Sequence, residues 1–182
     1  MKISTTALLD ELKSKTGQHL QYAEALLLKP EIELNFRISA NSWSALECLE
    51  HLNRYGNFYI PEISQKISSS QTASKPDFKP GLLGNYFAKS MLPKERLNTM
   101  KTFKAMNPLH SKLNKEAVNE FIKQQHQLLD LLERAGSVDL EKTKTAISIS
   151  KLITLKLGDT FRFVIYHNAR HIAQAEKVLK NV

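Results

Sequence analysis

Four long stretches of this chain repeat apolar residues at the three- and four-residue intervals of an amphipathic helix. Leu8, Leu9, Leu12, Thr16, Leu20, Ala23 and Leu27 predict a first helix over residues 3–28, closed by Pro30. After a short extended link, Asn41 or Ser42 can cap a second helix that begins at Trp43 and continues to about residue 68, with Pro61 as a potential kink. Glu47 falls in its first turns, where a carboxylate suits the positive end of the helix dipole. Val118, Phe121, Ile122, Gln125, Leu128, Leu129 and Leu132 share one stripe of a third helix over residues 114–135, with Gly136 as its stop. Gly158 and Asp159 open the fourth, which runs to the end of the chain.

The connections are less regular. SSSQTASKPDFKPGLLGN, residues 68–85, is dense in Ser, Pro and Gly and predicts a loop. Residues 86–113 carry broken helical turns, interrupted by Pro93 and Pro108, that are expected to wrap over one end of a bundle. KTKTAISISKLITLKL, residues 142–157, is ambiguous: its β-branched residues permit a short strand, while Leu152, Ile153 and Leu157 equally fit a helical turn. Four amphipathic helices and no credible sheet predict an all-α bundle, and residues 1–182 are expected to form a single domain without internal repeats.

Composition narrows the classes. The one cysteine, Cys48, gives no disulfide framework and suits a reducing compartment. No cleavable leader pattern opens the chain and no apolar run reaches membrane-spanning length, so a cytoplasmic protein without a membrane anchor is expected. The net charge of +8 is concentrated: residues 64–115 hold ten basic side chains (Lys66, Lys75, Lys79, Lys89, Lys94, Arg96, Lys101, Lys104, Lys112 and Lys115) against Asp77 and Glu95. Few arginines or interleaved aromatics accompany these lysines, so the region reads as a solvated surface, or a dock for an acidic partner, before it reads as a nucleic-acid site.

Chemistry concentrates in FRFVIYHNARHIAQAEKVL, where His167 and His171 stand one helical turn apart. Phe161, Val164, Ile165, Ile172, Ala175, Val178 and Leu179 lie on the arc the two histidines share, while Arg162, Arg170, Lys177 and Lys180 take the opposite one. Two inward imidazoles need partners, and a metal ion is one. On the second helix His51 sits inside the arc of Ala45, Cys48, Leu49, Leu52, Tyr55, Phe58 and Tyr59, whereas Glu47, Glu50, Asn53 and Arg54 fall outside it. Facing helices would then offer three imidazole nitrogens and leave a coordination position for water or substrate. Cys48 is read as a core residue, Glu47 as a cap, and His19, His110 and His126 as structural or surface residues. The hydroxyls of Tyr55 and Tyr166 could reach a substrate and equally suit helix packing edges.

Two of these segments carry a resemblance. WSALECLEHL, a Trp-Ser start with a histidine eight residues after the tryptophan, and LGDTFRFVIYHNARHIAQAEKV, an HxxxH followed by Gln, are similar to motifs of the DinB-like superfamily, helical bundles that include metal-dependent hydrolases and thiol S-transferases. The resemblance implies a four-helix bundle with a long crossover, often a homodimer, with His51, His167 and His171 as metal ligands and Gln174 bordering the pocket, to which the reading of the residues adds Tyr55 as a candidate. It also implies a small-molecule substrate, in one branch a low-molecular-weight thiol. Three neutral imidazoles would leave a divalent ion its full charge for activating water or a thiol, and they accommodate zinc, nickel, iron or copper alike. The competing class is a non-enzymatic stress-response or binding protein whose metal site is structural or vestigial.

Overall fold

The computed structural model describes residues 2–93 and 102–182. Lys94, Glu95, Arg96 and Lys101 of the basic stretch lie outside the described residues. Four long helices dominate: α1 (Thr5–Leu27), α3 (Ala45–Ser68), α5 (Glu116–Ala135) and α6 (Leu157–Leu179), with the single turn α2 (Glu31–Leu34) and the shorter α4 (Leu82–Met91) between them. Each of α1 and α3 packs on both α5 and α6, so α1 and α3 stand diagonally opposite.

Contacts along the helices fix their directions. Lys13 near the start of α1 pairs with Glu133 near the end of α5, and Lys115, just before α5, donates to the Leu27 carbonyl at the end of α1, so these two run antiparallel. Asn53 reaches the Ala117 carbonyl and Arg134 reaches Ser68, which makes α3 and α5 parallel. Parallel neighbours cannot be joined by a tight turn, and residues 69–115 supply the long crossover. Tyr59 meets Phe163, His51 meets His167 and Trp43 meets His171, so α6 runs antiparallel to α3 and therefore parallel to α1, where Tyr166 donates to Glu11. The molecule is therefore the all-α bundle that the four periodic stretches predict.

Several local expectations need correction. The cap of α3 is Ser44, not Asn41 or Ser42: its side chain accepts from the Glu47 N–H while Glu47 accepts from the Ser44 N–H, a reciprocal capping box. The helix continues through Pro61, which faces solvent. Residues 68–85 are not all loop, since β2 (Asp77–Phe78) pairs antiparallel with β1 (Ile3–Ser4) and α4 begins at Leu82. The ambiguous stretch forms an antiparallel ladder of β3 (Lys144–Ile147) and β4 (Ser150–Lys156), which buries Thr145, Ile147 and Leu155 and is tied to α3 by Ala146 N–H donating to Glu62. The crossover also departs from the expected wrap over one end. α4 lies against the first turns of α6, where Gly84 leaves room for Asp159 (an added Cβ would come within 2.5 Å), and a 3₁₀ turn, Lys104–Met106, lies against α3. Arg162 and Arg170, expected on the polar arc of α6, are buried; Arg162 pairs with Asp159 and lies under α4, donating to Asn85.

Two apolar clusters fill the bundle. One, around Leu12, Tyr59, Leu132 and Phe161, ends on α6 at Tyr166; the other, around Leu46, Leu49, Phe121 and Ala175, begins there at Ile172. His167 and His171 occupy the junction. Among the described residues, no helix is long and apolar enough to cross a membrane.

Candidate metal centre

α3 brings His51, and α6 brings His167 and His171, into one group whose nitrogen atoms all lie within 4.8 Å of one another, a group that could hold a metal ion. The pairwise ring centroids are 5.0, 4.5 and 4.7 Å apart. His51 and His167 are 3% and 5% exposed and His171 9%, so the antiparallel faces bury three polar rings at one level.

Hydrogen bonds fix how two of these rings point. His51 Nδ1 stands 2.7 Å from the Met106 carbonyl, which can only accept, so Nδ1 carries the proton and Nε2 presents its lone pair inward. His171 Nδ1 donates in the same way to Gln174 Oε1 at 2.9 Å. His51 Nε2 and His167 Nε2 are 3.2 Å apart, close to the edge of about 3.3 Å that tetrahedral Zn–N bonds of about 2.0–2.1 Å imply. With His51 committed as acceptor, His167 is the donor in that contact.

Burial keeps the three rings uncharged. Desolvation pushes His51 down to about 4, against the Met106 hydrogen bond and with Arg54 assisting. It lowers His171 to about 3, helped by His51 and opposed by Gln174, and holds His167 well below the ordinary imidazole value with the aid of both other histidines and Arg170. Neutral imidazoles are the form that ligates a metal. The donor set and its spacing fit a divalent ion, and His167 would move its proton from Nε2 to Nδ1 to ligate.

The Met106 carbonyl is itself held in place. Arg54, one turn beyond His51, donates to the carbonyls on either side of it, Ala105 O at 3.3 Å and Asn107 O at 3.0 Å, and Trp43 Nε1–H donates to the Asn107 side chain at 3.2 Å. Glu47 is fully buried rather than merely a cap, and accepts from Arg37, Ser44 and the His110 N–H, fixing the next part of the same strand of chain. His110 itself is exposed, with φ 64°. No sequence pattern marks a backbone carbonyl as a histidine's partner, so neither Met106 nor the role of Arg54 was visible before the fold.

Above the histidines opens a cavity of about 800 Å³. Tyr55 and Gln174 both line it, as do Trp43, Arg170 and Phe163. Tyr55 packs edge-on against His167 at 4.7 Å and stacks nearly parallel to Tyr59, while Phe163 stacks on His167 at 5.7 Å. Tyr86 and Phe87 from α4, and Phe103 from the crossover, complete the aromatic lining. Other candidates lie elsewhere. Tyr166 donates to Glu11 between α1 and α6, Cys48 is enclosed in the second apolar cluster, His19 is buried on α1 and His126 is exposed on α5.

Among known proteins, no curated sequence and no solved structure matches this chain. A family model does: residues 11–175 match the DinB superfamily, a span that takes in most of all four long helices and all three histidines, and the chain belongs to that superfamily.

Proposed function

We propose that the protein binds one divalent metal ion through His51, His167 and His171, and uses the open side of that centre as a metal-dependent thiol S-transferase or hydrolase. The observation that carries this reading is the convergence of three buried, neutral imidazoles at the floor of a cavity, with His51 and His171 already turned by their outer hydrogen bonds. Bound there, the ion would supply Lewis acidity toward a thiol or a water molecule. Met106 and Gln174 hold the ligating rings, and Tyr55 presents a hydroxyl at the cavity wall, kept protonated because burial pushes it up to about 12.

Thiol transfer is the favoured of the two chemistries. Among the described residues no carboxylate lines the cavity, so a water held there finds no carboxylate base. A thiol held on the ion would be deprotonated outright, whereas bound water would be lowered only to about 7 and would still lack a base.

Elemental analysis of untagged protein tests the centre. The wild type is expected to carry about one divalent ion per chain and the His51→Ala/His171→Ala variant none. Wild-type protein unable to take up zinc, nickel, iron or manganese would overturn the metal reading in favour of a non-catalytic binding protein.

Arg54→Ala probes the support of the site. Losing the grip on the carbonyls that flank Met106 frees the partner of His51 Nδ1, and zinc affinity is expected to fall about tenfold, the lower end of the range for outer-layer partners of metal ligands. Competition against a chromophoric chelator measures this, with circular dichroism confirming unchanged helix content. An unchanged affinity would show that the 3₁₀ turn keeps its place without Arg54.

A further inference from the structure

The chain contains fourteen aromatic residues, and seven of them line the one cavity that opens on the histidines. Tyr59, Tyr55 and Phe163 also pack with the first apolar cluster and Trp43 with the second, whereas Tyr86, Phe87 and Phe103 line the cavity without belonging to either. The rings come from separate parts of the chain: Tyr55 and Tyr59 from α3, Phe163 from α6, Tyr86 and Phe87 from α4. Tyr59 meets Phe163 at 5.7 Å and stacks against Tyr55 with planes 9° apart, making a continuous wall that ends at His167. At the rim, Tyr86 and Phe103 remain 67% and 55% exposed, apolar surface that a bound molecule would cover.

Charge selects further. Among the described residues lining the cavity there is no Asp or Glu. Aromatic walls can attract cations through their π faces, worth about 0.5–2 kcal/mol. Here that attraction is opposed, on the reading above, by a divalent ion, and among the described residues no carboxylate lines the cavity to compensate an ammonium group. A cavity of about 800 Å³ is of the size that encloses a small molecule.

We propose that the substrate of this site is an aromatic small molecule with a neutral or anionic head group, its ring held along the Tyr55, Tyr59 and Phe163 wall and its head toward the histidines, and that cationic analogues are rejected. This rests on the proposed metal centre for the direction of the head group, and on the cavity alone for the aromatic body.

Trp43, the single tryptophan, lies in the cavity wall and serves as a fluorescence reporter. Full-length protein, zinc-loaded and separately metal-free, is titrated with 3-phenylpropanol, 3-phenylpropanoate and 3-phenylpropylammonium. The alcohol and the carboxylate are expected to change Trp43 emission saturably, with the ammonium compound at least about tenfold weaker in the zinc-loaded protein. Tyr86→Ala, at an exposed position where folding is safe, should weaken the alcohol about three- to tenfold without altering zinc stoichiometry. Equal or tighter binding of the ammonium compound, or no saturable binding in protein that holds zinc, overturns the proposal and leaves the metal centre standing. Saturable binding of the alcohol by protein that takes up no zinc supports the aromatic cavity and sinks the metal centre instead.

Discussion

Replacing Glu47 with alanine is expected to destabilise the protein by about 3–5 kcal/mol, the cost of removing one partner from a buried ion pair. The carboxylate is 0% exposed and accepts four hydrogen bonds: Arg37 Nε at 2.8 Å, Arg37 Nη2 at 2.7 Å, Ser44 N at 2.8 Å and His110 N at 2.6 Å. Alanine leaves a partly exposed guanidinium and two N–H donors without their acceptor. These donors belong to three separate segments, the link after α2, the start of α3 and the end of the crossover, so their release loosens the covering of the site as well as the helix end. Urea denaturation of Glu47→Ala against wild type measures the loss; a difference below about 1 kcal/mol would show that solvent replaces the carboxylate without penalty.

The same residue gives the loss a pH signature. Burial opposes ionisation of Glu47, but hydrogen bonds from Arg37, Ser44 and His110 outweigh it and hold the carboxyl below its ordinary value of 4.5. A carboxyl depressed in the folded state stabilises fully above its unfolded value and loses that contribution as pH falls through 4.5 toward the folded value. The gap between wild type and Glu47→Ala should therefore be constant near neutrality and shrink below about pH 4.

What the sequence made legible follows a physical division. The helical period places His51, His167 and His171 on inner faces because a residue's angular position on a helix depends only on chain spacing, and the three do converge. The same period misplaces Glu47, Arg162 and Arg170, which lie outside the apolar arcs yet are buried. A helical wheel reports the bundle core; it is blind to a second covering laid over the polar side by residues distant in sequence. α4 brings Asn85 to Arg162, and the 102–113 segment brings His110 to Glu47. The β3–β4 ladder is ambiguous in the sequence for a related reason: Ile147 and Leu155 are buried while Leu152 and Ile153 are exposed, so its apolar residues do not all mark one buried face. The Ser44 cap lies close to the predicted Asn41 and Ser42, and all three positions offer a capping side chain, so only the backbone conformation separates them.

His167→Ala is expected to abolish the thermal stabilisation that zinc confers on metal-free protein. Zinc at about a thousand times its dissociation constant stabilises a folded site by about 4 kcal/mol, which for a chain of this size raises the melting temperature by about 10 °C. His167 is the most telling position because it touches both other rings and stands between Tyr55 and Phe163, so no neighbouring side chain can move a nitrogen into its place. Deleting a buried ring also costs packing, and comparing each variant with and without zinc cancels that cost. His126→Ala, on the exposed face of α5, is the control and should retain the full shift, because a surface imidazole contributes only loose binding. If His167→Ala keeps the full shift while His126→Ala loses it, zinc is stabilising the protein from the surface and the three buried histidines are not its site.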